Sequence, residues 1–137
     1  MLPAITGSLI LIGNGPSAIK SKLGDEIDAF DDVIRFNLYQ VEGYEASIGN
    51  KTTFWATTGR DQYPRKTEPP KNILLTHGGA PVKRGPGDHI IYRIPHPFHQ
   101  EKRKLVQEIA KMHGRDKSKG LLPSSGLLAI TWLLDVA

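Results

Sequence analysis

Three short constellations in this chain combine residue types that could do chemistry. The first is Gly13-Asn14-Gly15-Pro16-Ser17, directly behind the apolar run Ser8 to Ile12. Glycines at such a point permit a tight turn and close approach of the backbone to a ligand. A helix starting there aims free N–H groups at a phosphate, and the Asn14 amide can both donate and accept. The pattern is not the dinucleotide fingerprint, because Ala18 stands where G-x-G-x-x-G needs its third glycine. No Gly-Lys-Ser/Thr follows, so it is not a Walker loop either. On the pattern alone, an ordinary strand-to-helix turn and a ligand site weigh equally. The second constellation is Arg35-Phe36-Asn37, at the end of the run Val33 to Asn37. If the two runs are neighbouring parallel strands, Asn14 and Asn37 reach one edge of the sheet; asparagine is also a common turn residue at a strand end. The third is Pro123-Ser124-Ser125-Gly126, just before an apolar helix. One serine is accounted for as an N-cap. Two hydroxyls and a glycine exceed what a cap needs, and with free N–H groups they make an anion or ribose-phosphate cradle.

Other chemistries find less support. The histidines His77, His89, His96, His99 and His113 show no metal-ligand spacing. His89 and His113 read as surface or capping residues, and His96 and His99 as flanking Pro97 in a turn. The acid pairs Asp25-Glu26 and Asp31-Asp32 read as capping or solvated. There is no Gly-x-Ser-x-Gly elbow and no serine–histidine–acid set, so the catalytic residue is left unassigned and no metal is expected. With no cysteine at all, the chain has no disulfide, no thiolate nucleophile and no thiolate zinc site.

The elements that must position these loops are legible as a pattern. Ser8 to Ile12, Val33 to Asn37, Thr52 to Thr58, Ile73 to Thr76 and His89 to Ile94 read as strands, being short, apolar and bounded by turn residues. Ser17 to Phe30 reads as a helix with Ile19, Leu23, Ile27 and Phe30 on one face, weakened at Gly24. Phe98 to His113 reads as an amphipathic helix carrying Leu105, Ile109 and Met112, stopped by Gly114. Leu127 to Val136 reads as a last helix, apolar nearly all round and therefore buried. Gly59 to Asn72, Gly78 to Gly87 and Asp116 to Gly120 read as loops or connections. Strands alternating with helices predict an α/β layered domain with a largely parallel sheet. In such sheets ligands bind beyond the carboxyl ends of the strands.

Length and charge bound the rest. At 137 residues the chain is one domain's worth, and 39% hydrophobic with 23% charged residues excludes a wholly disordered or fibrous chain. The longest apolar stretch, Leu127 to Leu134, is far short of the ~20 residues of a membrane helix. Met1 to Gly13 lacks the basic flank of a signal peptide. The net charge of +4 resides in Glu101 to Lys119, where Lys102, Arg103, Lys104, Lys111, Arg115, Lys117 and Lys119 face Glu101, Glu108 and Asp116. A solvated helix face is the first reading of such a run and an anionic partner the second. No aromatic residues interleave with it, so no nucleic-acid partner is expected.

Taken together, residues 9 to 55 resemble the large sialylmotif of the family 29 sialyltransferases. The resemblance is carried by Gly13-Asn14, Glu26-Ile27-Asp28, Asp32-Val33-Ile34-Arg35-Phe36-Asn37, Gly43-Tyr44-Glu45 and Gly49-Asn50-Lys51-Thr52-Thr53. Residues 121 to 135, with Pro123-Ser124-Ser125-Gly126, resemble the start of the small sialylmotif. His96-Pro97-Phe98 and Gly114-Arg115 fall where the family shows an x-Pro-x-Phe turn and a Gly-Arg pair, and GNGPS is similar to the bacterial family 42 sialyltransferases as well. The resemblance implies a single Rossmann-like, three-layer, nucleotide-sugar-binding domain over residues 1–137, incomplete at its C-terminal side. It implies a glycosyltransferase that moves a sialic acid or related sugar from a cytidine monophosphate (CMP) sugar to a glycan hydroxyl, with inversion and with neither metal nor cofactor. The implied donor-binding residues are Gly13, Asn14, Gly15, Asn37, Ser124, Ser125 and Gly126. The general base is implied in a later motif, beyond Ala137. The sequence departs from the family at Leu122, where an aromatic residue commonly helps bind phosphate. It departs again at Leu9 and about Ala137, where the animal enzymes have a disulfide. These departures imply a bacterial-type relative, cytoplasmic or peripheral to a membrane, or else a fragment of a Golgi enzyme. The alternative reading is a non-catalytic nucleotide- or glycan-binding module.

Overall fold

Five apolar runs become strands in the computed structural model, which describes residues 3, 5–59, 70–77, 89–115 and 121–136. They are β1 (Leu9–Ile12), β2 (Asp32–Phe36), β3 (Phe54–Thr57), β4 (Asn72–Leu75) and β5 (Ile90–Arg93). All pair in parallel and lie in sequence order across the sheet. The register sets Leu11 beside Ile34, Ile34 beside Phe54, Phe54 beside Asn72 and Leu74 beside Tyr92.

The strand order decides where the layers fall. Right-handed connections between strands that always step the same way all lie on one face. That face holds Trp55, Ile73 and Leu75, covered by Tyr39, Val41 and Ile48 from the β2–β3 connection. The sheet has a second apolar face. Its Ile34, Phe36, Phe54, Ala56, Leu74, Tyr92 and Ile94 are covered by Leu128, Ala129, Trp132 and Leu133 of α4 (Ser125–Val136). The expected three-layer α/β arrangement is thus present, with its sheet wholly parallel.

Several elements differ from expectation. The single helix over 17–30 is instead a 3-10 turn, Ala18–Lys20, and a separate α1, Gly24–Asp28. Between them Ser21 is extended (φ −79°, ψ 156°), and its hydroxyl donates to the Ala18 and Ser47 carbonyls. The break brings Gly24 against α2 (Glu45–Ile48), a short helix the sequence did not announce. A Cβ on Gly24 would lie 2.2 Å from the Glu45 carbonyl oxygen, so only glycine fits. Ile27 alone of the expected face is buried, whereas Ile19 and Leu23 are exposed.

The remaining helix, α3 (His96–Met112), starts two residues early, so His96 and His99 lie in its first turn rather than in a loop. Pro97 is tolerated there because first-turn N–H groups have no helical partner. Gly114, at φ +69°, follows the helix end as predicted. Leu105, Ile109 and Met112 are exposed, Met112 at 82%, while Ala110 is buried and Phe98 packs against the core from the first turn of α3. α4 is likewise buried on one side only, leaving Leu127, Ile130 and Leu134 exposed. In the basic segment, Lys102 pairs with Glu101 at 3.0 Å and lies over the Phe98 ring. Residues 60–69, 78–88 and 116–120, expected as loops, lie outside the described residues.

Candidate functional site

The C-terminal edge of the sheet carries two polar clusters. In the first, Ile12 is registered beside Arg35, so the loops after β1 and β2 leave the sheet at one level. The Asn14 side chain reaches across and donates from Nδ2 to the Phe36 carbonyl at 2.8 Å. Asn37, one residue on, has φ +49°, a left-handed conformation that asparagine tolerates better than most. Two bonds hold it there. Its N–H donates to the Ala56 carbonyl at 2.8 Å, and its carbonyl accepts from the indole Nε1 of the fully buried Trp55 at 2.8 Å. Its side-chain Oδ1 is buried and has no hydrogen-bond partner among the described residues. A buried acceptor left unpaired costs about 1–3 kcal/mol, which a ligand N–H or O–H would recover.

Beside this pair lies a cavity of about 270 Å³, lined among others by Gly13, Asn14, Gly15, Arg35, Tyr39 and Tyr44. Arg35 forms part of its wall and is not free to act elsewhere. Its Nη2 donates to the Ile48 carbonyl at 2.7 Å, and its Nε to the Lys51 carbonyl and Thr52 hydroxyl at 3.1 and 3.0 Å. Burial pulls its pKa down, opposed by Tyr39 and Asp28. The acidic residues are structural here. Asp28 accepts from the Asn50 and Lys51 N–H groups, and Asp31 accepts from Ser8, which lowers its pKa.

The second cluster gathers at β4 and the start of α4. Ser124 is a true cap, its hydroxyl accepting from the Leu127 N–H at 3.1 Å. Ser125 Oγ lies 3.1 Å from Thr76 Oγ1, and Thr76 Oγ1 lies 3.0 Å from His77 Nδ1. His77 Nε2 reaches the Pro123 carbonyl at 3.0 Å. The His99 ring meets His77 edge-on, 5.1 Å between centroids, and stacks on His96 at 6.2 Å. The His99 pKa is lowered, first by burial, then by His77, His96 and Arg103. Among the described residues no group of three or more His, Cys, Asp or Glu could hold a metal ion.

The structure therefore brings Gly13, Asn14, Gly15 and Asn37 together and sets Ser124, Ser125 and Gly126 apart from them, by the end of β4. Two strand spacings separate β2 from β4, about 10 Å along the edge. Thr76 and His77 escaped sequence reasoning, although their place at the end of a strand was a usable signal. Gly13, Gly15 and Gly126 share a property that the core glycines lack. None has a positive φ. An added Cβ would meet nothing within 4 Å at Gly13, and nothing closer than 3.8 Å at Gly15 or 3.9 Å at Gly126. The chain's own packing does not require glycine at these three positions.

The chain is similar to known proteins in both sequence and fold. The family model described as glycosyltransferase family 29 (sialyltransferase) matches residues 8–72. Beta-galactoside alpha-2,6-sialyltransferase 2 of Gallus gallus is 47% identical over 47 residues, covering 34% of this chain and 9% of its own length. CMP-N-acetylneuraminate-beta-1,4-galactoside alpha-2,3-sialyltransferase of Mus musculus is 41% identical over 61 residues, covering 43% of this chain and 16% of its own. A crystal structure of a mammalian sialyltransferase superposes with a TM-score of 0.64 at 22% identity, over 94% of this chain and 51% of that one. A second, in complex with Gal-beta-1-3GalNAc-ortho-nitrophenol, gives 0.61 at 19% identity over 94% and 52%. The alignments thus span less than a fifth of these curated relatives and about half of the solved chains. No helix among the described residues is long and apolar enough to cross a membrane. The matched segment contains β1, β2 and β3 and both loops of the first cluster, and over it the chain is similar to glycosyltransferase family 29, the sialyltransferases.

Proposed function

We propose that this chain binds the nucleotide of a CMP-sugar donor and serves a sialyltransferase reaction. In that reaction a sialic acid or related sugar passes to a glycan hydroxyl with inversion, without metal or cofactor. The observation that carries the reading is the Asn14–Asn37 pair, fixed on adjacent strands beside glycines that packing does not demand. Gly13 and Gly15 let a ligand approach the backbone. Asn14 uses one N–H on Phe36 and keeps its amide oxygen and second N–H for the nucleotide. Asn37 Oδ1 supplies an acceptor for a base amine or ribose hydroxyl. Ser124, Ser125 and Gly126, about 10 Å along the edge, face the phosphate end. Leaving-group phosphate is stabilised by hydrogen bonds aimed at its developing charge. The acceptor hydroxyl needs a base with a pKa near neutrality, and none of the described histidines lines the cavity.

The test is a CMP titration followed by backbone and side-chain amide NMR. Shifts at Asn14, Asn37 and Ser124 are expected, and silence at all three overturns the reading. A second reading is a nucleotide-binding module without transfer activity. CMP binding with no turnover of CMP-sialic acid by the full-length protein supports that module.

A further inference from the structure

The hydrogen-bond chain behind Ser125 has a direction, and elementary donor counting fixes it. A carbonyl oxygen only accepts, so the 3.0 Å contact with Pro123 requires a proton on His77 Nε2. In a neutral imidazole the other nitrogen is then an acceptor. Nδ1 must take its hydrogen bond from the Thr76 hydroxyl at 3.0 Å. Thr76 has one hydroxyl proton, and it is now committed. The 3.1 Å contact between Thr76 and Ser125 can be a hydrogen bond only if Ser125 donates into it. With neutral His77, Ser125 thus points its proton inward and presents lone pairs outward, the wrong polarity for a phosphate.

Protonation of His77 leaves the Pro123 contact in place and reverses the two hydroxyl links. Nδ1–H donates to Thr76 Oγ1. The Thr76 proton turns to Ser125 Oγ, 3.1 Å away. The Ser125 O–H is released to donate to a phosphate oxygen. We propose that His77 is a positioning residue that sets the polarity of the Ser125 hydroxyl, and that a phosphate monoester bound at Ser125 draws one proton from solvent onto His77. The proposal rests on the donor-binding reading above. Among the described residues, the charged and titratable groups facing His77 come from α3: His99 directly, with His96 and Arg103 behind it. Burial, His77, His96 and Arg103 lower the His99 pKa. The Ser125 hydroxyl at the start of α4 and the Pro123 carbonyl just before it are neutral groups.

The experiment uses the intact chain labelled with ¹⁵N in its histidine rings. The free protein near neutral pH is expected to show the Nε2–H tautomer at His77, and saturating CMP to convert that ring to the doubly protonated form. Cytidine, which lacks the phosphate, is expected to bind without the conversion. Ser125→Ala is expected to keep the tautomer and lose the conversion. His77→Gln, which cannot take the proton, is expected to weaken CMP about tenfold, in line with a lost hydrogen bond to a charged group, and to leave cytidine unaffected. An Nδ1–H tautomer in the free protein, or bound CMP with an unchanged ring, overturns the proposal even if His77→Gln does not fold. No CMP binding at all overturns the donor reading and the phosphate half of this one. The tautomer in the free protein judges the other half separately.

Discussion

The two polar clusters on the sheet edge are held in opposite ways. Around Asn37 the backbone is fixed by a fully buried indole and a strand carbonyl, neither of which titrates near neutrality. Around Ser125 the same task falls to two rotatable hydroxyls and an imidazole. The first cluster is a fixed mould; the second can change polarity without moving an atom heavier than hydrogen. A base and ribose have the same hydrogen-bonding pattern at any physiological pH, and a mould suits them. A phosphate changes charge when the bond to its sugar breaks, and an adjustable contact suits that end.

Removing the indole should break this contrast most strongly. Trp55→Ala is expected to cost about 3–5 kcal/mol of stability, the range for a buried aromatic residue, measured by denaturant unfolding. Trp55→Phe keeps most of the volume and isolates the hydrogen bond to Asn37, at about 1–2 kcal/mol. If both cost the same, the indole N–H rather than the packing holds the mould. Asn37→Gly is the sharper and smaller change. Glycine adopts the left-handed backbone freely, so stability is expected to hold while CMP affinity drops by about 1–3 kcal/mol, read by calorimetry. Unchanged affinity would remove the orphaned Oδ1 from the site. Smallest is the pH response of the second cluster. The folded pKa of His99 lies below its usual 6.5, so the unfolded chain binds the proton more readily. The associated stability is present above about 6.5 and is lost as pH falls from there toward the folded value. His99→Gln should flatten that limb of the stability profile. An unaltered profile would show that folding does not lower the His99 pKa.

Much of the architecture was legible because a buried parallel strand writes a short apolar run whatever surrounds it. The Asn14–Asn37 pairing was legible for a related reason: consecutive strands became neighbours, so sequence order and spatial order coincide. Gly24 hinted at a break, yet the cause is the Glu45 carbonyl on another element. No local pattern could name that partner. α2 was invisible because four residues are too few for a periodic signal. Periodicity marked Leu105, Ile109 and Met112 as one face of α3, but not whether anything packs on it. Thr76 and Ser125 are 49 residues apart. Their contact depends on α4 returning over the sheet, and nothing in either segment announces it.

The monotonic strand order has a consequence for how the molecule is made. Each new strand docks beside the one synthesised just before it, so the sheet can grow in step with the emerging chain. One of its faces is covered by Tyr39, Val41 and Ile48 from the β2–β3 connection. The other face, with Ile34, Phe36, Phe54, Ala56 and Leu74, stays bare until α4 has been translated. An apolar surface waiting in that state is the kind nascent chains aggregate through. Residues 125–136 therefore shield this face from such contacts as well as forming a layer of the core.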